Sequence, residues 1–199
     1  IRECAHLARA LSRERVRDEL TKTLLSEKPE TAAEIIALGL LAPTVPEANP
    51  DLAELPALPA ELPLRLALLM RRLRDCGAVS DPVTTLRALK YPRAVCESAG
   101  IGARACCGAS RFGIKSAIAR HGYATGRCAA ACEGALAEYD DVIGSGECCT
   151  LSQLAVGGAD LLAAGIQPGR TVGKTLDALL CHVIGNAEDN TRDTLLKLI

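Results

Sequence analysis

The sequence predicts an all-α fold, an elongated array of about nine to eleven helices. Three observations carry that reading. Hydrophobic residues make up 49% of the 199 residues, enough for a packed core. Aromatics make up only 2%, being Tyr91, Phe112, Tyr123 and Tyr139, with no tryptophan. The core must then be built from Leu, Ala, Ile and Val, which suits packed helices better than a β-sandwich. Third, apolar residues recur at helical spacing and no period-two strand pattern stands out.

The chain opens on Ile1–Leu7 as if already inside a helix, which reads as a piece of a longer protein. Ser12 is a candidate N-cap for a helix over Leu11–Ser26, with Leu11, Val16, Leu20 and Leu24 near one side. Pro29 opens a second helix through Ile35 and Ile36, and Gly39 stops it. Residues 43–63 are rich in proline and cannot form a long helix, so they read as a connector and as the best candidate boundary. Leu64–Arg74 is a strong helix. Ser80-Asp81-Pro82 starts another, and so does Tyr91-Pro92. Ser110 caps a helix that Gly122 ends. Tyr123–Tyr139 is alanine-rich and reads as one helix. Thr150 caps a short helical turn, Pro168 opens a helix through Leu176 and Ile184, and Asn190 is placed as the cap of the last. The organisation expected is therefore a helical unit at 1–42, the connector at 43–63, a basic helical body at 64–145 and a helical tail at 146–199.

The net charge of −1 hides a segregation. Between Pro82 and Cys132 lie eight basic residues, Arg87, Lys90, Arg93, Arg104, Arg111, Lys115, Arg120 and Arg127, against a single acid, Glu97. A one-signed stretch of this length points to an anionic partner, and a phosphate backbone is the commonest. The bland alternative is that these cations pair with acids from elsewhere in the chain. The scarcity of aromatics argues against binding single strands by base stacking.

The ten cysteines contain no Cys-x-x-Cys pair, and two pairs are adjacent in sequence, which is awkward for disulfide geometry. They read as free thiols in a reducing, cytoplasmic compartment. Cys128 and Cys132 share a helix face and, with His121, form the weak case for a metal-responsive regulator. No nucleophile elbow, Walker-type loop, His-Glu-x-x-His or Asp-x-Asp pair occurs. Asp140 and Asp141 are adjacent and, on a helix, point about 100° apart. No apolar run reaches the length of a membrane span. The chemistry is that of a binding module, with no metal site assigned.

Two segments add a family resemblance. In the first, Ser12, Glu14, Arg15, Glu19 and Lys22 match the pattern Ser-x-Glu-Arg-Ile-x-x-Glu-Leu-x-Lys. In the second, Gly158, Asp160 and Leu161 fit Leu-x-x-Gly-x-Asp-Leu with Leu154 one residue farther from the glycine than in the pattern, and Pro168, Gly169, Gly173 and Leu176 match Pro-Gly-x-x-x-Gly-x-x-Leu. In this order and spacing they resemble the neck and tail motifs of the bacterial CCA-adding tRNA nucleotidyltransferases of the poly(A) polymerase family. The resemblance covers both ends of the chain well and the middle loosely.

That resemblance implies a neck, body and tail that grip the acceptor stem and T arm of tRNA. The catalytic head, with the carboxylates that hold Mg²⁺ and the motif that selects CTP or ATP, would lie before Ile1. No cofactor is then expected in this chain. Some relatives carry a His-Asp insert in the body, and Leu66–Leu73 has no such pair. Lys90, Arg93, Arg104, Arg111, Lys115, Arg120 and Arg127, with Arg170 and Lys174 at the start of the Pro168 helix, become the candidate RNA contacts. Ser12, Glu14, Arg15, Glu19 and Lys22 would brace the neck under the nucleotide pocket, or simply stabilise a helix. The alternative is a stand-alone helical RNA-binding or scaffold protein without enzymatic activity.

Overall fold

Residues 12–42 and 44–199 are described by a computed structural model. The expected helical start at Ile1–Leu7 and the contribution of Leu11 lie outside them. Among the described residues there are eleven α-helices and no strand. Among these residues no helix is long and apolar enough to cross a membrane.

α1 (Arg13–Leu25) begins where Ser12 accepts a hydrogen bond from the Arg15 amide through its hydroxyl. It buries Leu20 and Leu24. A short 3-10 turn at Pro29–Thr31 leads into α2 (Ala32–Ala37). Gly39, at φ +68°, turns the chain out of it, a conformation that costs glycine least.

The proline-rich connector is not an extended linker. Val45, Leu52, Leu55 and Leu58 are buried in one cluster with Leu20, Leu24 and Ile36 from the N-terminal helices and Leu64–Leu73 beyond. Proline blocks long helix here, and the apolar residues between the prolines still seek the core.

α3 (Leu62–Asp75) is the centre of that core. Leu64, Leu66, Ala67, Leu68, Leu69, Met70 and Leu73 are all buried, so the helix is covered on every side over Leu64–Met70 and turns charged only in its last turns. Arg65, 5% exposed, is buried among them. Its guanidinium donates to the carbonyls of Leu24 (2.6 Å), Ser26 (3.1 Å) and Leu58 (3.0 Å). One cation thereby satisfies carbonyls at the end of α1 and of the connector, where the α1 dipole favours positive charge. Removing it leaves buried acceptors unpaired. Arg65→Ala should cost about 3 kcal/mol, read as a lower urea midpoint with an unchanged slope.

α4 (Pro82–Ala88) is capped by Asp81, and α5 (Arg93–Gly102) follows Pro92. Lys90, between them, has φ +65°. Its carbonyl accepts from Arg17 of α1 at 2.9 Å, and the Thr21 and Tyr91 hydroxyls lie 3.1 Å apart, so this turn is fastened to α1.

α6 (Arg111–His121), α7 (Tyr123–Cys132) and α8 (Leu136–Gly144) form a second cluster around Ile114, Ile118, Tyr139 and Val142. The single helix expected over Tyr123–Tyr139 is two, because Gly134 takes φ +67° and the Ala135 amide donates back to the Ala130 carbonyl. Glycines set how closely these helices cross. A Cβ on Gly102 would lie 2.5 Å from Cys128 Cβ, and one on Gly126 would lie 2.7 Å from Ile118 Cγ1.

The tail packs a third cluster around Leu161, Leu179, Val183 and Leu195. It contains α9 (Gly158–Ala163), α10 (Arg170–Gly185) and α11 (Arg192–Lys197). The cap of α11 is Thr191, one residue past the expected Asn190. Asn190 instead bridges Ala155 N (2.9 Å) and the Gln153 carbonyl (3.0 Å).

Candidate nucleic-acid interface

The basic stretch does not form one open cationic face. Lys115 is 3% exposed, and its Nζ donates to Glu147 Oε2 at 2.7 Å. Arg111 reaches Glu147 at 2.6 Å and Glu138 at 3.1 Å, and also pairs with Asp141. Arg127 pairs with both oxygens of Glu61, the longer contact being 3.1 Å. Arg93 pairs with Glu97 at 2.7 Å, and Arg104 with Asp81 at 3.1 Å. Among the described residues, Lys90 and Arg120 form no such pair. A cation held by a carboxylate is attracted to phosphate more weakly than a free one, and a buried cation hardly at all. The expectation of a shared groove from Lys90 to Arg127 is therefore corrected at Arg111 and Lys115, which clamp α6 to α8 and to the start of the tail.

That clamp is strongly coupled. The Lys115 ammonium, and then the Arg111 guanidinium, hydrogen-bond the Glu147 carboxylate and push its pKa down from the ordinary 4.5 to about 2. The same contacts raise the Arg111 pKa, Glu147 first and Asp141 next. A carboxylate with a depressed folded-state pKa contributes stability that is complete above its unfolded pKa and is lost as pH falls toward its folded one. Between about pH 5 and pH 2, wild type should lose its stability advantage over Glu147→Gln, measured by urea unfolding at each pH. A constant difference across that window would contradict the clamp.

At the N-terminal end of the described residues, Lys22 pairs with Glu19 at 2.8 Å, and Glu14 lies in the first turn of α1. Arg15 and Glu19 line a small apolar hollow with Val16, Leu20, Ile35 and Leu41. In the tail, Asp160 caps its own helix by accepting from Gly157 N at 2.9 Å, and it pairs with Arg192 at 2.9 Å. Gly169, at φ +116°, is the N-cap of α10, with Arg170 and Lys174 exposed on its first turns. A Cβ on Gly173 would meet open space, so no helix packs against that position.

Cys128 is buried and Cys132 half-buried, and desolvation pushes both thiols up to about 12, far from the thiolate that metals bind. Among the described residues, no group of three or more His, Cys, Asp and Glu is placed to hold a metal ion. The nine described cysteines are free thiols.

The remaining geometry of note is a groove between the ends of α5 and α6. It is lined by Ile101, Arg104, Ala105, Cys106, Arg120 and His121. The charge count found its two arginines. It gave no reason to link them with His121 and Cys106, which meet them only because α5 and α6 both pack against α7.

Comparison with known proteins adds one match. Residues 1–52 fit the family model described as the probable RNA and SrmB-binding site of polymerase A. The N-terminal 52 residues are similar to an RNA-binding region of the poly(A) polymerase family. The match spans α1, α2 and the first part of the connector, and it contains the whole Ser12–Lys22 pattern. No curated protein and no solved structure matches the chain.

Proposed function

We propose that this chain is the tRNA-gripping neck, body and tail of a CCA-adding tRNA nucleotidyltransferase acting in the cytoplasm. The observation that carries this reading is the match of residues 1–52 to an RNA-binding region of polymerase A. The tail pattern from Leu154 to Leu176 supports the narrower assignment to the CCA-adding branch. An enzyme that serves every tRNA must hold the acceptor stem and T arm without reading their sequence. Exposed Lys and Arg on phosphate oxygens do that, because they position without specifying.

Phosphoryl chemistry in such an enzyme belongs to a head with Mg²⁺ and CTP or ATP. The described residues do not fit a magnesium site: no group of three or more His, Cys, Asp and Glu among them is placed to hold a metal ion, and the carboxylates that do converge, Glu138, Asp141 and Glu147, are held by Arg111. The 199 residues alone should bind a tRNA transcript lacking its CCA end and add neither CMP nor AMP to it. Gel shift and labelled-nucleotide incorporation test the two halves. Incorporation above a no-protein control would overturn the division of labour. Equal affinity for tRNA and for an unrelated RNA duplex would favour a general helical RNA-binding protein instead.

A further inference from the structure

The groove at the ends of α5 and α6 has a volume of about 490 Å³, and among the described residues no carboxylate lines it. Arg120 stands in the last turn of α6, exposed, with no acid among the described residues paired to it. Arg104 stands just past α5. Its single acidic partner among the described residues is Asp81 at 3.1 Å, and its side chain stays 56% exposed. That carboxylate is shared, because its other oxygen accepts from the Thr84 amide at 3.2 Å to cap α4. Arg71 stands behind the wall. It donates to the Ala105 carbonyl at 2.7 Å and lies 3.8 Å from Cys106 Sγ. Burial and the Arg120 charge lower the His121 pKa, so at neutral pH its imidazole is an uncharged hydrogen-bonding group beside the arginines. Two guanidinium groups and an imidazole converge on a polar recess. Guanidinium matches the geometry of phosphate oxygens through paired N–H donors.

We propose that this groove seats a phosphodiester of the bound RNA, with Arg120 and Arg104 on its oxygens and His121 beside them. The proposal rests on the RNA-binding reading and adds to it a location outside the residues that match the polymerase family model. Of the cations expected to touch RNA, it selects the two that share a recess lined by no described carboxylate and sets aside Arg111 and Lys115.

The test uses the 199-residue chain and a tRNA transcript lacking its CCA end, titrated at several salt concentrations. The double variant Arg104→Gln/Arg120→Gln should lower the slope of log K against log salt by about one to two, because each lost phosphate contact removes close to one released counterion. Arg72→Gln, which breaks an exposed pair with Glu54 on α3, should leave the slope unchanged. Cys106 gives a second readout, since it is exposed on the groove wall while Cys76 is exposed elsewhere. Saturating tRNA should slow maleimide labelling of Cys106 relative to Cys76, scored by peptide mass. If wild type binds tRNA while the double variant keeps its slope and Cys106 stays unprotected, the groove assignment falls and the RNA-binding reading stands. If wild type fails to bind tRNA at low salt, both fall. If inorganic phosphate protects Cys106 as well as tRNA does at equal phosphate concentration, the groove is a small-anion site and its assignment to RNA is overturned.

Discussion

Gly113→Ala should destabilise the protein by roughly 3 kcal/mol or more, lowering the thermal midpoint by about 10 °C. The expectation runs against helix propensity. In an ordinary helix interior, alanine is better than glycine by about 1 kcal/mol. Gly113 lies in the first turn of α6, and its φ is not in the left-handed region. What forbids the substitution is space. A Cβ there would stand 1.6 Å from the Cys107 carbonyl oxygen and 2.8 Å from its carbon. The obstacle is backbone, which cannot rotate away as a side chain would. The turn carrying Cys107 leads directly into the Ser110 cap, whose hydroxyl accepts from Gly113 N at 3.2 Å. Relieving the clash therefore means moving the start of α6 and its cap together. Gly173→Ala on α10 is the matched control, since its Cβ would meet open space. It should raise stability by about 0.5–1 kcal/mol. Urea unfolding of the pair checks both signs, and a stabilised Gly113→Ala would show that the helix start is looser than described.

Lys115→Glu should come close to unfolding the protein, with a loss of about 4 kcal/mol. The substitution sets two carboxylates against each other at a site where the lysine side chain is 4% exposed and Glu147 only 20%. A buried charge that loses its partner cannot recover its hydration, and here it gains a like charge as well. The charge swap Lys115→Glu/Glu147→Lys should recover part of the loss, because the pair is restored with its sign reversed although Arg111 then faces a lysine. Far-UV circular dichroism during urea unfolding measures it. A Lys115→Glu protein of wild-type stability but weakened tRNA affinity would return Lys115 to the RNA surface.

Local signals were well legible in the sequence. Ser12, Asp81 and Ser110 were readable as caps because a cap needs only a side-chain oxygen and an amide three residues on. One helix interruption was not. Gly134 is the residue type that stops helices, but the alanine-rich run on either side of it favours helix and masks the signal. The helix over Gly158–Ala163 was hidden because Gly157-Gly158 reads as a turn, although Asp160 three residues after Gly157 is the mark of a capped start. At the site, the count of cations was correct and their availability was not. The acids that neutralise them arrive from far along the chain. Glu61 is 66 residues from Arg127, and Glu147 is 32 from Lys115. Sequence distance carries no information about such pairings, so charge segregation along a chain overstates the field at its surface.

The division into three apolar clusters has a consequence for optical measurement. Tyr91 belongs to the first cluster and Tyr139 to the second. The third is aliphatic apart from the thiol of Cys148, and with no tryptophan anywhere the tail has no emitter of its own. Its one phenolic neighbour is Tyr123, whose hydroxyl lies 3.3 Å from Gln153 at the tail's entrance. Intrinsic fluorescence will thus follow the melting of the first two clusters and pass over most of the third. A tail that opens early would be silent in emission and visible in the amide band.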